Sequence, residues 1–336
     1  MSVTLTKKSF LIPLNTGIGN AVLLTPLIKT IKKEMPDSTI TLICDPEKGI
    51  DKLFQDDPNV DRIINEIDAY PYTVYFHTML GSKKKWAFDV KRKNPRCEVI
   101  TQYYQSHPPR MRERLFNAVI GTRSIPVNPK EHESLQYLSL LNSQNPNTAV
   151  SLNINEVSSI GMPFTPYCVI QLGAAFDLPD TKNWPMSHWQ GLIQKLAETV
   201  TVVLVGSNNE AKLADTLSKD NVVNLIGKTA LNELVGIIKN CVFFLGVDSG
   251  IGHISGALNN NTLILWGPTD FVKSHQVGSN THFINLEKSC SPCRGPSQMG
   301  LWSGPQSVLL CAYNKVCMKE ITVEKVYKKL QELKWL

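Results

Sequence analysis

The chain has 336 residues, too many for one ordinary hydrophobic core and enough for two domains. Its 42% hydrophobic and 19% charged residues exclude a disordered chain, and no stretch approaches the ~18 consecutive apolar residues of a membrane-spanning helix. The first apolar run stops at Asn15 without a small-residue cleavage site, so we expect no signal peptide and a cytoplasmic location.

The first half alternates strand-like and helix-like segments, the pattern of a parallel sheet covered by helices on both faces. We predict strands at Ser9–Leu14, Thr39–Cys44 and Arg62–Glu66. Between them we predict helices at Val22–Met35 and Gly49–Gln55. A looser stretch rich in Pro, Asn and Ser, from Ser124 to Phe164, leads toward an interdomain hinge.

The same alternation restarts in the second half. We predict strands at Tyr167–Leu172, Thr201–Gly206, Val222–Asn224, Phe243–Val247 and Thr262–Trp266. We predict helices at His188–Glu198, Glu210–Ser218, Leu231–Lys239, Gly252–Leu258 and Thr322–Leu336. The sequence thus predicts an α/β protein with domains over residues 1–160 and 161–320, the second carrying a Cys-rich loop at 290–317. A last helix, over 321–336, is expected to pack back toward the N-terminal domain.

Positive charge is concentrated between His77 and Arg123, where eleven Lys/Arg face three Asp/Glu. Such a patch suits an acidic partner, which can be a phosphorylated glycolipid, an anionic membrane surface or nucleic acid. Closely interleaved aromatic side chains are missing, although Tyr103 and Tyr104 lie nearby, so we expect no nucleic acid partner.

Two glycine-containing turns each follow a strand and open a helix, where exposed N–H groups favour an anion. The first is Gly17-Ile18-Gly19-Asn20, which lacks the third glycine of a dinucleotide fingerprint and can also be a turn without a ligand. The second is Gly246–His253, in which Asp248 or Ser249 can cap the helix that follows. His253 can reach the same anion, or it can be a buried histidine in an ordinary capped helix.

Two further segments of the second half suit a diphosphate. One is the loop Asp180–Pro185, in which Lys182 follows Thr181, and the other is the turn Gly267–Asp270, which contains Thr269. Ligands of open α/β sheets bind beyond the carboxyl ends of the strands, so we expect these segments and Gly246–His253 at one sheet edge. No Asp-x-Asp motif offers a metal-bound diphosphate site, and we expect no cofactor for the chemistry.

Four cysteines are clustered, as Cys290-x2-Cys293 and Cys311-x5-Cys317. Two such pairs can place four thiolates around a structural zinc or iron ion, and the loop between them has little core of its own. Reduced thiols and disulfides are the alternatives.

The chain resembles the bacterial heptosyltransferases of glycosyltransferase family 9, which are inverting enzymes with the GT-B fold of two Rossmann-like domains facing each other across a cleft. The resemblance lies in PLNTGIGNAVLLTPLIKTIKKEMPDSTITLIC, KNWPMSHWQGLIQKL, VVLVGSNNE, VDSGIGHISGALNNNTLILWGPTD and CSPC to CMKEITVEKV. It implies an ADP-heptose donor in the C-terminal half and an acceptor in the N-terminal half. Lys182 matches the family's phosphate-side lysine, and a nucleotide-sugar motif is matched by Asp248, Ser249, Gly250 and His253. We assign Gly17, Gly19, Thr181 and Thr269 to donor binding with them.

Asn20 departs from this family, which usually has Asp at that position as the catalytic base. A carboxamide cannot take a proton from a hydroxyl near neutral pH. Asn20 can orient the acceptor while another group takes the proton, mark an inactive site, or merely cap the following helix.

We therefore expect transfer of a heptose from an ADP-sugar to a bacterial surface glycan such as the lipopolysaccharide inner core. The acceptor is expected to be an acidic glycolipid, reached from the cytoplasm or peripherally on the inner membrane. One alternative is a protein acceptor, as in the family branch that heptosylates autotransporters and carries an iron-binding finger. Another is a sugar-nucleotide-binding homologue without full activity.

Overall fold

The computed structural model describes residues 7–14, 16–78, 81–105, 111–121, 123–153, 166–174, 181–210, 217, 220–293 and 314–336. The chain divides into two compact units, Met1–Asn155 and Glu156–Leu336. Each unit has its own parallel sheet and its own hydrophobic core. Among the described residues, no helix is long and apolar enough to cross a bilayer.

The first unit is built on a six-stranded sheet in which all pairs are parallel. Its strands are β1 (Ser9–Pro13), β2 (Thr39–Ile43), β3 (Arg62–Ile64), β4 (Val74–His77), β5 (Glu98–Tyr104) and β6 (Arg123–Val127). Its helices are α1 (Ile18–Leu23), α2 (Thr25–Glu34), α3 (Lys84–Lys93), α4 (Met111–Val119) and α5 (Glu133–Leu138), with 3-10 turns at Pro46–Lys48, Ile50–Leu53 and Ser139–Leu141. Leu11, Tyr75 and Val99 pack from the sheet against Trp86 of α3 and Phe116 of α4.

The second unit repeats this architecture. Its strands are β7 (Tyr167–Gln171), β8 (Thr201–Val205), β9 (Val222–Asn224), β10 (Phe244–Val247), β11 (Thr262–Trp266) and β12 (Thr281–Asn285). Its helices are α6 (Met186–Leu196), α7 (Leu231–Lys239), α8 (Gly250–Ala257), α9 (Phe271–Ser274), α10 (Val316–Lys319) and α11 (Val323–Glu332), with a 3-10 turn at Asn208–Glu210. Two parallel six-stranded sheets confirm the prediction of two Rossmann-like halves.

Both sheets have the same strand order. The first is β3-β2-β1-β4-β5-β6 and the second is β12-β11-β10-β7-β8-β9, which is the 3-2-1-4-5-6 order of a doubly wound fold in each case. The order reverses between β1 and β4 and between β7 and β10. Ligands of such sheets bind at the carboxyl ends of the strands beside this switch point. A ligand site is therefore expected at the turns after β1, β7 and β10.

The predicted helix Val22–Met35 is wrong in its start and its continuity. Helix α1 already begins at Ile18, and a second helix, α2, begins at Thr25. Pro26 has no N–H for the carbonyl of Val22, and the hydroxyl of Thr25 donates to that carbonyl instead, at 2.8 Å. The carbonyl of Val22 therefore keeps a hydrogen-bond partner where the two helices are interrupted.

The looser stretch that we predicted from Ser124 onward contains regular structure. Strand β6 and helix α5 both lie in it, and β6 reads poorly as a strand because it contains Pro126 and is mostly exposed. Proline is tolerated at a sheet edge, which is where β6 lies. Further elements that we did not predict are β4, β5, β12, α3, α4, α9 and α10. The predicted helix Glu210–Ser218 falls mainly on residues outside the described ranges.

The predicted C-terminal helix forms as α11. Its Val326 and Leu330 are fully buried in the core of the second unit, beside Leu192 and Leu196 of α6. The apolar face of this helix is therefore used within its own unit. Packing toward the N-terminal domain and the domain limits at residues 160 and 320 stay predictions.

Candidate active site

Three separate loops of the second unit meet at the carboxylate of Asp248. This residue follows β10, and its Oδ2 lies 2.8 Å from Nζ of Lys182 in the loop before α6. The hydroxyl of Thr269, in the turn after β11, donates to the same oxygen at 2.7 Å. The sequence placed these segments at one sheet edge, and the structure brings these three side chains into direct contact.

The electrostatics of this cluster favour the ionised forms. Burial raises the pKa of Asp248, but the positive charge and hydrogen bond of Lys182, the hydroxyl of Thr269 and the charge of His253 together outweigh burial. The net effect holds the pKa of Asp248 below its ordinary value. Asp248 is therefore a carboxylate whose acceptor capacity is used to hold neighbouring side chains.

Two glutamines complete the network, and neither belongs to a recognisable sequence motif. Gln276 is 1% exposed, and its Nε2 donates to Oδ1 of Asp248 at 3.2 Å and to the carbonyl of Ser249 at 3.4 Å. Gln171, the last residue of β7, accepts a hydrogen bond from the Ser249 hydroxyl. The signal that could have found Gln171 is its position, a polar residue at the end of a central buried strand.

Helix α8 begins in the middle of this network. Ser249 is its N-cap, and its Oγ accepts from the backbone N–H of Gly252 at 3.2 Å, as the sequence predicted. Gly252 packs closely against β11, because a Cβ there would lie 2.9 Å from Cδ1 of Ile264 and would require that side chain to shift. Gly250 is half-buried and His253 is buried. The positive end of the helix dipole therefore lies beside Lys182.

The loop that carries Lys182 is fixed by the two residues that follow this lysine. Oδ1 of Asn183 accepts from the N–H of Ala174 at 3.3 Å, and a Cβ on Gly173 would approach that oxygen to 2.7 Å. Only glycine at 173 allows this contact. The indole N–H of Trp184, the next residue, donates to the carbonyl of Ile321 at 2.8 Å. Thr181 lies half-buried at the start of the loop, and Asp180 lies outside the described residues.

Glu210 is a further buried carboxylate at the same sheet edge. Its Oε1 accepts from the N–H of Gly173 at 2.9 Å and its Oε2 from the N–H of Ser207 at 2.8 Å, which joins the ends of β7 and β8. Burial raises its pKa, although these hydrogen bonds oppose the shift. Glu210 was not among the predicted site residues. Its only sequence signal is that it is acidic and follows shortly after a predicted buried strand.

The first unit places Gly17 in the turn after β1, and Gly19 and Asn20 in the first turn of α1. Gly17 is the exposed N-cap of α1, and no described atom lies within 4 Å of a Cβ built there, so packing does not require the glycine. Asn20 is the third residue of α1, and its Nδ2 donates to Oγ1 of Thr16 at 2.9 Å. The hypothesis that Asn20 caps the helix is wrong, because the N-cap is Gly17 and makes no side-chain cap bond.

His77 ends β4, the neighbour of β1 across the switch point of the first sheet. Its ring lies 4.8 Å from the ring of Phe116, and its Nδ1 is buried without a hydrogen-bond partner in the described structure. Burial, together with the charge of Lys84, lowers the pKa of His77 to about 4. His77 is therefore neutral near pH 7, and the sequence analysis had not singled it out.

This shift makes the stability of the protein depend on pH. A histidine in the unfolded chain binds a proton near pH ~6.5 and the folded protein resists protonation down to about 4, so stability falls as pH drops through this window. We expect the free energy of unfolding to fall by roughly 1–2 kcal/mol more in the wild type than in His77→Gln between pH 7 and pH 5. Urea denaturation at both pH values measures this free energy. If it fell equally in the two proteins, the lowered pKa of His77 would be contradicted.

The cysteine cluster is only partly within the described residues. Cys290 is half-buried, Cys293 is exposed and Cys317 is buried, while Cys311 lies outside the described ranges. The backbone N–H of Cys293 donates to Pro268 at 2.9 Å. In the part of the chain that the structure describes, no three His, Cys, Asp or Glu side chains form a metal-binding group. A structural zinc or iron ion therefore receives no support from these residues.

Comparison with known proteins identifies a family and a fold for this chain. Residues 115–302 match the model of glycosyltransferase family 9 (heptosyltransferase). The chain is 24% identical to lipooligosaccharide heptosyltransferase 2 of Campylobacter jejuni, over 96% of this chain and 97% of that protein. In structure it is similar to the E. coli ADP-heptose lps heptosyltransferase II, with a TM-score of 0.73, 17% identity and coverage of 97% and 98%. The iron-containing dodecameric glycosyltransferase TibC of enterotoxigenic E. coli gives a TM-score of 0.63 at 13% identity, covering 98% of this chain and 76% of TibC.

The matched segment covers more than half of the chain, from within α4 to residue 302, beyond β12. It contains Lys182, Asp248 and Thr269, the three residues that meet in the second unit. The GT-B fold predicted from the sequence is confirmed by the solved relatives. The chain belongs to glycosyltransferase family 9, the heptosyltransferases, and is a glycosyltransferase.

Proposed function

We propose that this enzyme transfers a heptose from an ADP-sugar, with inversion, to an acidic glycolipid such as the lipopolysaccharide inner core. The observation that carries the proposal is the Lys182–Asp248–Thr269 cluster at the start of α8, which is centred on the buried carboxylate of Asp248. A lysine and a helix N-terminus at one sheet edge form a site for a diphosphate. The donor is supported by a structural relative that is named an ADP-heptose enzyme, and the acceptor by the names of the relatives.

In this reaction the acceptor hydroxyl attacks the anomeric carbon while ADP leaves from the opposite face. Negative charge grows on the departing diphosphate, and Lys182 and the dipole of α8 stabilise it. Asp248 is itself an anion and would repel a phosphate that touched it. We therefore infer that Asp248 is a positioning residue, which orients Lys182 and Thr269 and does not contact the donor.

The acceptor is assigned to the first unit. Its exposed cations include Lys83, Lys84 and Lys85 at the start of α3. Phosphate groups on an acidic glycolipid are complementary to such cations. Gly17 and the first turn of α1, which contains Asn20, lie at the carboxyl end of β1 in the same unit. The open space beside Gly17 leaves room for a ligand there.

The decisive experiment incubates the protein with ADP-heptose and either a phosphorylated inner-core glycolipid that lacks heptose or an unmodified protein acceptor. We expect the glycolipid to gain the mass of one heptose, with one ADP released per product. Product on the protein acceptor alone would replace the acceptor assignment. ADP release that does not depend on either acceptor would contradict transfer as the activity.

A second candidate function is a sugar-nucleotide-binding homologue without turnover, and Asn20 favours it. Its amide donates to Thr16, and a carboxamide offers no base for the acceptor hydroxyl. Calorimetric binding of ADP-heptose without product from any acceptor would establish this candidate. Binding together with product formation would exclude it.

A further inference from the structure

Helix α4 of the first unit presents an apolar stripe to solvent. Met111, Leu115 and Val119 recur every four residues and therefore lie along one side of the helix. Their side chains are 77%, 60% and 72% exposed. Single exposed apolar side chains are ordinary, but an aligned set of this size marks a surface that contacts another molecule or a membrane.

Helix α3 extends this surface with one aromatic ring. Phe88 is 49% exposed, and its ring lies 5.8 Å from the ring of Phe116 in an edge-to-face contact. Phe116 belongs to α4 and is buried directly after Leu115 in the chain. The contact between the two rings ties α3 to α4, so Phe88 and the stripe belong to one continuous face.

Cations flank the apolar residues. Lys84, Phe88 and Arg92 recur every four residues on α3, so an exposed cation lies on each side of the exposed ring. Nζ of Lys84 is 5.5 Å from the centre of the Phe116 ring, which places this charge at the junction of the two helices. Arg114 is exposed next to Leu115 on α4. We call the set of Lys84, Phe88, Arg92, Met111, Arg114, Leu115 and Val119 the α3–α4 surface.

We propose that the α3–α4 surface docks onto an anionic lipid bilayer. Helices that lie in the membrane interface combine an exposed apolar face with flanking Lys and Arg, and anionic headgroups attract those cations. A soluble phosphorylated ligand would account for the cations and leave the apolar stripe unexplained. A symmetric contact with a second copy would cover the stripe, but it would bring two sets of like charges together.

Cosedimentation with vesicles tests the proposal directly. We expect the wild type to bind vesicles of phosphatidylglycerol and phosphatidylethanolamine at least tenfold more tightly than vesicles of phosphatidylcholine. Leu115→Glu/Val119→Glu is expected to weaken binding to the anionic vesicles at least tenfold. Val272→Glu is the matched control, because Val272 is 61% exposed in the second unit and lies outside the surface. It is expected to bind as the wild type does.

The charge component is tested by Lys84→Glu/Arg92→Glu, which is expected to abolish the preference for anionic over neutral vesicles. All four substituted side chains are exposed, so circular dichroism is expected to show unchanged melting temperatures. Equal binding by the Leu115→Glu/Val119→Glu variant and the wild type would overturn the proposal. So would a wild-type dimer that this variant converts to a monomer without any change in vesicle binding, because a second copy would then occupy the stripe. No donor or acceptor is present, so the result does not depend on the proposed function.

Discussion

Lys182→Met is expected to lower kcat/KM for the ADP-sugar by roughly 10²–10³-fold, the loss typical of removing one group that stabilises developing negative charge. Nζ of Lys182 lies 2.8 Å from Asp248 beside the N-terminus of α8, where a leaving diphosphate would meet it. Initial-rate kinetics with varied donor concentration measure the effect. Lys228→Met is the matched control, because Lys228 donates to Asn224 on the exposed surface of the same unit.

The same substitution is expected to destabilise the second unit. Asp248 would stay buried without its cation, which costs about 1–3 kcal/mol because Thr269 and Gln276 still donate to it. Lys182→Met/Asp248→Asn removes the stranded charge and is expected to regain most of this stability while activity stays low. Urea denaturation and kinetics on the three variants separate the two effects. Recovery of activity in the double variant would show that Lys182 acts only on the fold.

The sign of the pH dependence follows from the lowered pKa of Asp248. In the unfolded chain this carboxyl takes up a proton near pH ~3.9, and in the folded protein it does so at lower pH. The stability that comes from the ion pair is therefore fully present above pH ~4 and is lost as pH falls through the folded pKa. In Lys182→Met, where the ion pair is absent, the free energy of unfolding is expected to fall less with acid than in the wild type.

Asn20→Asp is expected to keep or raise kcat, by as much as the ~10²–10⁴-fold that general-base catalysis supplies. The local structure can accommodate the change, because the hydroxyl of Thr16 now accepts from the amide of Asn20 and can donate to a carboxylate instead. Asn20→Ala has neither the amide nor a carboxylate at this position and is expected to lower kcat. Product formation from ADP-heptose and the glycolipid acceptor measures all three proteins.

A matched substitution for this experiment is Asn128→Asp in the same unit. Oδ1 of Asn128 accepts from the backbone N–H of Lys130 at 3.0 Å, a bond that a carboxylate also makes, and kcat is expected to stay unchanged there. Activity in Asn20→Asp together with a silent wild type would mean that Asn20 marks a retired active site. Equal kcat in the wild type, Asn20→Ala and Asn20→Asp would remove this residue from the mechanism.

The sequence predicted three of the six strands of the first sheet, β1 to β3, and five of the six strands of the second, β7 to β11, because those strands are short runs of apolar residues between turn signals. Val222–Asn224 and Thr262–Trp266 were predicted with the bounds that the structure has, and so was the helix Leu231–Lys239. Two of the edge strands, β6 and β12, escaped prediction for a physical reason. Strand β6 carries a proline and exposed polar residues, and β12 is only partly buried, so neither shows the apolar pattern of a central strand.

The candidate site divides in the same way. Lys182, Asp248, Ser249 and Thr269 lie in turns at predicted strand ends, and topology alone brings strand ends together. Gln276 has no such signal, because it lies in an irregular segment and reaches Asp248 through the tertiary fold. The sequence also could not show that Lys182 and Asp248 pair with each other, since 66 residues separate them.

The pairing of Lys182 with Asp248 has a kinetic consequence. Opposite charges 2.8 Å apart form a dipole whose field decays much faster with distance than that of a lone lysine, so this pair contributes little long-range attraction. A nucleotide that bound at the proposed site would gain affinity from Lys182 only after contact, when short-range hydrogen bonds form. We expect its association to be slower than at an unpaired lysine. In return, we expect the site to attract fewer of the other polyanions of the cell, so that short-range contacts decide which anion binds.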